Sequence, residues 1–210
     1  RHTRLQGDWS SDVCSSDLVT GWRQEDVNRI VKESLQEIID PVAYREARDL
    51  IREHKSAGRD VIVVSTSGIE IVEPIARYLG ADQTIGTTVK VVDGRFTGEI
   101  LFYAYGAGKA EAIRSLAHER GLDLEQCFAY TDSHTDLPML QTVGNPVAVN
   151  PDRPLRAIAQ QNDWPILEFT RPEPSRARPV PPVAAASAAL GAVTVLVAWY
   201  AWRRAARSPA

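Results

Sequence analysis

The sequence predicts an α/β fold in which strands alternate with helices to build a doubly wound parallel sheet. Three observations carry this. Val61-Ile62-Val63-Val64 is a wholly apolar, β-branched run, and Cys127 to Thr131 is a second short strand-like run. Runs of this kind fit strands buried on both faces, as in a parallel sheet. Each is followed by a polar turn, Ser65-Thr66-Ser67-Gly68 after the first and Asp132-Ser133 after the second. Between and before them, apolar residues recur at helical spacing. Ligands of such sheets bind beyond the carboxyl ends of the strands, where both turns lie.

The elements follow in order. Val27, Ile30, Val31, Leu35, Ile38 and Ile39 recur at helical spacing over 25–39, and Pro41 interrupts the pattern. A second helix is expected over 44–56, closed by Gly58 as a C-terminal glycine. The strand at 61–64 ends in Ser65, and a helix is expected over about 69–79. Residues 87–101 read as a hairpin: Val89, Val91 and Phe96 sit in strand-like runs around the turn dipeptide Asp93-Gly94. A helix is expected over 110–119, a strand over 127–131, and further strands at 147–149 and 166–169.

The two ends differ from the middle. Residues 8–18 have neither helical period nor strand alternation. They resemble, residue for residue, the conceptual translation of a short-read sequencing adaptor, so 1–18 take no part in the fold prediction. The natural N-terminus is therefore expected to be lost from this chain. At the other end, 183–202 carry no charge, and Trp199, Tyr200 and Trp202 cluster near the close of the run, before Arg203 and Arg204. At about 1.5 Å per residue the run spans roughly 30 Å, the thickness of a bilayer core. It is expected to be a single-pass C-terminal membrane anchor rather than an Ala-rich helix packed back on the domain, because it has no polar face, with 171–182 as a Pro/Arg-rich linker. Arginines flank both sides and set no orientation; the preceding domain is expected on the cytoplasmic side.

Composition narrows the function. The chain has 210 residues, is 44% hydrophobic and 24% charged, and has a net charge of −3. No basic stripe interleaved with aromatics is present, which excludes a nucleic-acid partner. Cys14 and Cys127 lie far apart in unrelated contexts and form neither a disulfide framework nor a zinc pattern.

Three local features bear chemistry. Ser65 and Thr66 sit where a strand ends and a helix begins, where hydroxyls and free helix N–H groups suit a phosphate; in isolation, helix capping is the better reading of them. Lys109 stands near the start of a helix, against the dipole, so a compensating anion is expected there. Its surroundings, Tyr105-Gly106-Ala107-Gly108-Lys109-Ala110, are not a nucleotide-binding loop, because Tyr103 and Ala110 stand where that loop needs Gly and Ser or Thr. Asp132 and Asp136, four apart after a strand, can converge on one Mg2+, which takes a few carboxylates together with waters and substrate phosphate. A capped helix start explains Asp136 as well. His134, between them, is expected to be an exposed loop residue, because Mg2+ prefers oxygen.

In combination, the order and spacing of these features resemble the haloacid dehalogenase superfamily over about residues 25–169. Ser65 looks like its second motif, Lys109 like its third, and Asp132 with Asp136, in Asp-Ser-x-x-Asp-Leu-Pro-Met-Leu, like its fourth. The continuation from Gly144 to Asp152 is similar to the subfamily containing phosphoserine phosphatases. The resemblance implies residues 19–57 as the rest of a small helical cap with the helix that follows it, and 58–170 as the core. It implies hydrolysis of a small phosphorylated metabolite through a phosphoaspartyl intermediate with Mg2+ as cofactor. Ser65 and Thr66 would bind the phosphoryl group, Lys109 would neutralise nucleophile and phosphate, and Asp132 with Asp136 would hold the metal. Thr66 and Ser67 stand where strict phosphoserine phosphatases carry glycines, and Thr135 where they carry Asn, so a broader phosphomonoesterase is expected. A soluble phosphoserine phosphatase and a membrane-held, non-catalytic phosphate- or metal-binding module are the alternatives.

One departure is severe. The family's nucleophile lies in an Asp-x-Asp pair after an apolar strand, and no such pair precedes Ser65. The chain as written is therefore expected to show no phosphatase turnover. Phosphate release by the purified chain at a rate abolished by Asp132→Asn would refute this.

Overall fold

The structure, a computed structural model, describes residues 19–170. Two helices lead, α1 (Gln24–Ile39) and α2 (Arg45–Ser56). Then come β1 (Ile62–Gly68), α3 (Ile69–Leu79) and a hairpin of β2 (Gln83–Val92) and β3 (Arg95–Phe102). Helix α4 (Ala107–Arg120), β4 (Phe128–Thr131), the short α5 (Leu137–Leu140), β5 (Asn145–Val149), α6 (Arg153–Gln161) and β6 (Ile166–Leu167) complete the described chain. Helix α6 was not anticipated, although its signal is present. Asp152 caps it, accepting the Leu155 N–H at 2.8 Å, and Pro154 stands in its first turn.

Among the described residues the strands form two three-stranded sheets. The first has the order β1-β2-β3, with β1 and β2 parallel and β2 and β3 antiparallel; the second, β4-β5-β6, is wholly parallel. Among the described residues, both strands that precede the polar turns, β1 and β4, are therefore edge strands. Val61–Val64, expected to be buried on both faces, is only partly buried, as is every residue of β1. The strand also runs further than expected, through Gly68, with an irregularity in its pairing between Val64 and Gly68.

Two apolar clusters hold these layers. In the first, Val27 and Val31 of α1 pack against Val89 and Phe96 of the hairpin. The chain entering α1 is pinned to the same hairpin, with Gly21 donating to the Phe96 carbonyl at 2.8 Å and Phe96 to the Trp22 carbonyl at 3.1 Å. The turn of that hairpin has Asp93 at φ 49° and Gly94 at φ 72°, the left-handed pair whose twist matches that of the flanking strands. The second cluster lies under β4 and β5. It joins Ala129, Met139, Leu140, Ala148, Leu155 and Ala159, with Val64 of β1 packed against it.

The membrane localisation expected from a single-pass anchor over 183–202 is not supported. Among the described residues no helix is long and apolar enough to cross a membrane. The segment itself, the linker at 171–182 and the adaptor-like residues 1–18 lie outside the described residues.

Helix α2 meets β4 through an aromatic cluster. The His54 ring packs edge-on against Phe128 and Tyr130, with centroids 5.1 and 5.5 Å away. Arg59 Nε donates to His54 Nδ1 at 2.8 Å, so Nδ1 is an acceptor and the ring is neutral with its proton on Nε2, 2.7 Å from the Tyr130 hydroxyl. Burial and then the Arg59 charge hold His54 below its ordinary pKa of 6.5. A lowered histidine pKa stabilises the fold above the unfolded-state value, and that stability is lost as pH falls below it. The thermal midpoint is therefore expected to drop between about pH 7 and about pH 5, and His54→Gln to flatten that drop, as followed by circular dichroism.

Candidate phosphate and metal site

The site gathers at the ends of β1 and β4 and the start of α4. Ser65 lies in the last part of β1, where its hydroxyl oxygen accepts the Ser67 N–H at 3.2 Å. With that acceptor role filled by the backbone, the hydroxyl proton is available to a ligand. Beyond Gly68, the first turn of α3 has no side-chain cap, which leaves its N–H groups unclaimed by a capping residue. Thr66 takes part through its backbone, its carbonyl accepting the Thr87 hydroxyl at 2.6 Å.

Lys109, in the first turn of α4, is buried to 6% exposure and is held by Asp136, itself at 7%. Its ammonium donates to Asp136 Oδ1 at 2.7 Å and to Oδ2 at 2.9 Å. The anion expected to compensate this lysine is thus a carboxylate of the protein itself. Thr131, the last residue of β4, donates to Asp136 Oδ2 at 2.9 Å and accepts the Ser133 N–H at 3.3 Å. Both oxygens of Asp136 are thereby occupied.

Asp132 is placed differently. Its side chain is exposed, while its carbonyl accepts the Asp152 N–H at 2.8 Å. Among the described residues no group of three or more His, Cys, Asp and Glu side chains could hold a metal. What is present is one exposed carboxylate beside a carboxylate already engaged by lysine. That donor set fits Mg2+, which keeps several waters and needs only one or two carboxylates from the protein.

Three residues that brace the site were not singled out in the sequence. Thr87 is 1% exposed, and its hydroxyl links the Thr66 carbonyl to the Ala104 N–H, which it accepts at 3.2 Å. Thr131 holds Asp136. Asp152 clamps the loop after β4, accepting the His134 amide at 3.0 Å and its ring Nδ1 at 2.8 Å. Burial pushes the Asp152 carboxyl up, but the hydrogen bonds from His134 and Leu155 outweigh it and hold the group below the usual range. His134, expected to be an exposed loop residue, is exposed and serves this clamp. Small hydroxyl residues in strands carry no periodic signal of such roles; only the fold brings Thr87 between Thr66 and Ala104.

This arrangement defines the class of protein. The family model for haloacid dehalogenase-like hydrolases matches residues 8–141, and the chain belongs to that family. It is 52% identical over 200 residues to the "Inhibition of morphological differentiation protein" of Streptomyces azureus, covering 91% of this chain and 72% of that one. It is 40% identical over 166 residues to a phosphoserine phosphatase of Mycobacterium tuberculosis, covering 79% of this chain and 54%, about half, of the relative. A solved structure from Bordetella pertussis, of unknown function, superposes with a TM-score of 0.68 at 29% identity, covering 72% of this chain and 70% of that one. The chain thus has the α/β fold of the haloacid dehalogenase superfamily, and the relatives it matches include a named phosphatase.

Removing one partner of a buried ion pair leaves an uncompensated charge, at a cost of about 3–5 kcal/mol. Lys109→Met is expected to destabilise the chain by about that amount in urea unfolding, because it strands Asp136. The double variant Lys109→Met with Asp136→Leu is expected to recover most of the loss.

Proposed function

We propose that this chain carries the phosphoryl- and metal-binding parts of a Mg2+-dependent hydrolase of small phosphomonoesters. Its phosphoaspartyl route would need a nucleophile that the chain does not contain. The observation that carries this reading is the buried Lys109–Asp136 pair beside the exposed carboxylate of Asp132. A cation at the start of α4 and a candidate metal ligand after β4 suit a dianionic phosphate.

In this reading Ser65 donates its hydroxyl proton to a phosphoryl oxygen, and Thr66 offers its backbone to the same group. Lys109 supplies fixed positive charge, oriented by Asp136. Asp132 would hold the Mg2+, with Asp136 joining through water. When bound, the ion would offset phosphate charge and orient the group. The helical segment at 19–57 would cover the substrate and exclude water. No Asp-x-Asp pair follows an apolar strand before Ser65, so the chain binds phosphate without turning it over.

The name of the Mycobacterium tuberculosis relative favours phosphoserine as substrate. Thr66, Ser67 and Thr135 depart from the residues expected for strict phosphoserine specificity, and they favour a broader range of small phosphate esters.

Calorimetric titration tests the reading. Orthophosphate is expected to bind in the presence of Mg2+ and to lose about tenfold or more in affinity when Mg2+ is chelated or when Asp132 is changed to Asn. Ser65→Ala is expected to weaken binding by several-fold. Affinity indifferent to Mg2+ and to both substitutions would sink the assignment.

A further inference from the structure

We propose that Tyr103 and Tyr105 form an aromatic platform at the mouth of this site, which takes the planar ring of an aryl or heteroaryl phosphate ester. The proposal rests on the phosphate-binding reading above and names a substrate class for it. The two rings stack with centroids 5.6 Å apart and planes 20° from parallel. They are 39% and 42% exposed.

The platform is fixed to the phosphate-binding elements on both sides. Ala104, between the tyrosines, is fully buried, and its N–H donates to the Thr87 hydroxyl that in turn holds the Thr66 carbonyl. On the other side the chain turns directly into α4 and Lys109. Tyr105 donates its N–H to the Tyr103 carbonyl at 2.9 Å, and Gly108 donates to the Tyr105 carbonyl at 2.8 Å. Gly106 has φ 50° and ψ −116°, a conformation that a side chain would strain. A Cβ at Gly108 would lie 2.4 Å from the Tyr103 carbonyl oxygen, so only glycine allows this close a turn. The turn also lies against the metal-binding loop, since a Cβ on Gly106 would be 3.9 Å from the Thr135 carbonyl oxygen. The backbone that carries the two exposed rings is thus fixed between Thr66 and the helix of Lys109. Rigid tyrosines lose little conformational entropy on binding, and aromatic faces prefer a stacked planar partner over an aliphatic one.

The test is calorimetric titration of the whole chain with Mg2+, using orthophosphate, phenyl phosphate and cyclohexyl phosphate. The two esters match in size and differ in the flatness of the ring. Phenyl phosphate is expected to bind about three- to tenfold more tightly than cyclohexyl phosphate. Tyr105→Ala is expected to bring that ratio to about one, while Tyr105→Phe, which keeps the ring, preserves it. Circular dichroism of each variant establishes that it is folded. If orthophosphate binds but the two esters bind equally, or the preference survives Tyr105→Ala, the platform is refuted and the phosphate site stands. If orthophosphate and both esters fail to bind, the phosphate site falls and the platform falls with it.

Discussion

The buried pair of Lys109 and Asp136 is the constraint on which the site depends. Taking two charges out of water is costly, and their mutual attraction offsets that cost only when the geometry is close and the remaining hydrogen-bonding capacity is filled. Here it is filled: Lys109 reaches both carboxylate oxygens, and Thr131 adds a third bond to Asp136. The pair ties the start of α4 to the loop after β4, two elements far apart in sequence. A lysine placed against the dipole of its own helix is tolerable because that carboxylate stands opposite it.

Around this pair, small groups fix the backbone where a ligand would approach. Thr87 bridges the end of β1 and the strand leading to α4 with one buried hydroxyl. Gly106 and Gly108 let the chain turn closely enough to present the lysine and, just before it, the two tyrosines. Asp152 caps α6 and grips His134 at once, so the helix after β5 steadies the loop that carries Asp132. None of these residues needs to touch a ligand to matter. They limit the conformations available to those that do.

The outline of the fold was legible in the sequence. Helix α3 spans the expected 69–79, and it ends at Gly80 in the left-handed conformation. The hairpin follows from Asp93-Gly94. Helix α6 and the length of β1 were not read, because Asp-Arg-Pro and a Ser/Thr-rich strand end give weak periodic signals. The partial burial of β1 could not be read either. An apolar run reports what a strand is suited to bury, whereas actual burial depends on whether a neighbour lies on each side.

The sequence by itself determined the order of elements, the family and the identity of the candidate site residues. These rest on local propensity, hydrophobic period and motif spacing, all of which act within a short stretch of chain. Tertiary structure alone decided how the charges are shared. It committed Asp136 to Lys109 and left Asp132 open to solvent, although the two aspartates sit four residues apart in one motif. It also made Thr87 a strut between the Thr66 carbonyl and the Ala104 N–H. The reason is physical: a carboxylate's role depends on which charges and donors lie within a few ångströms, and those come from distant parts of the chain.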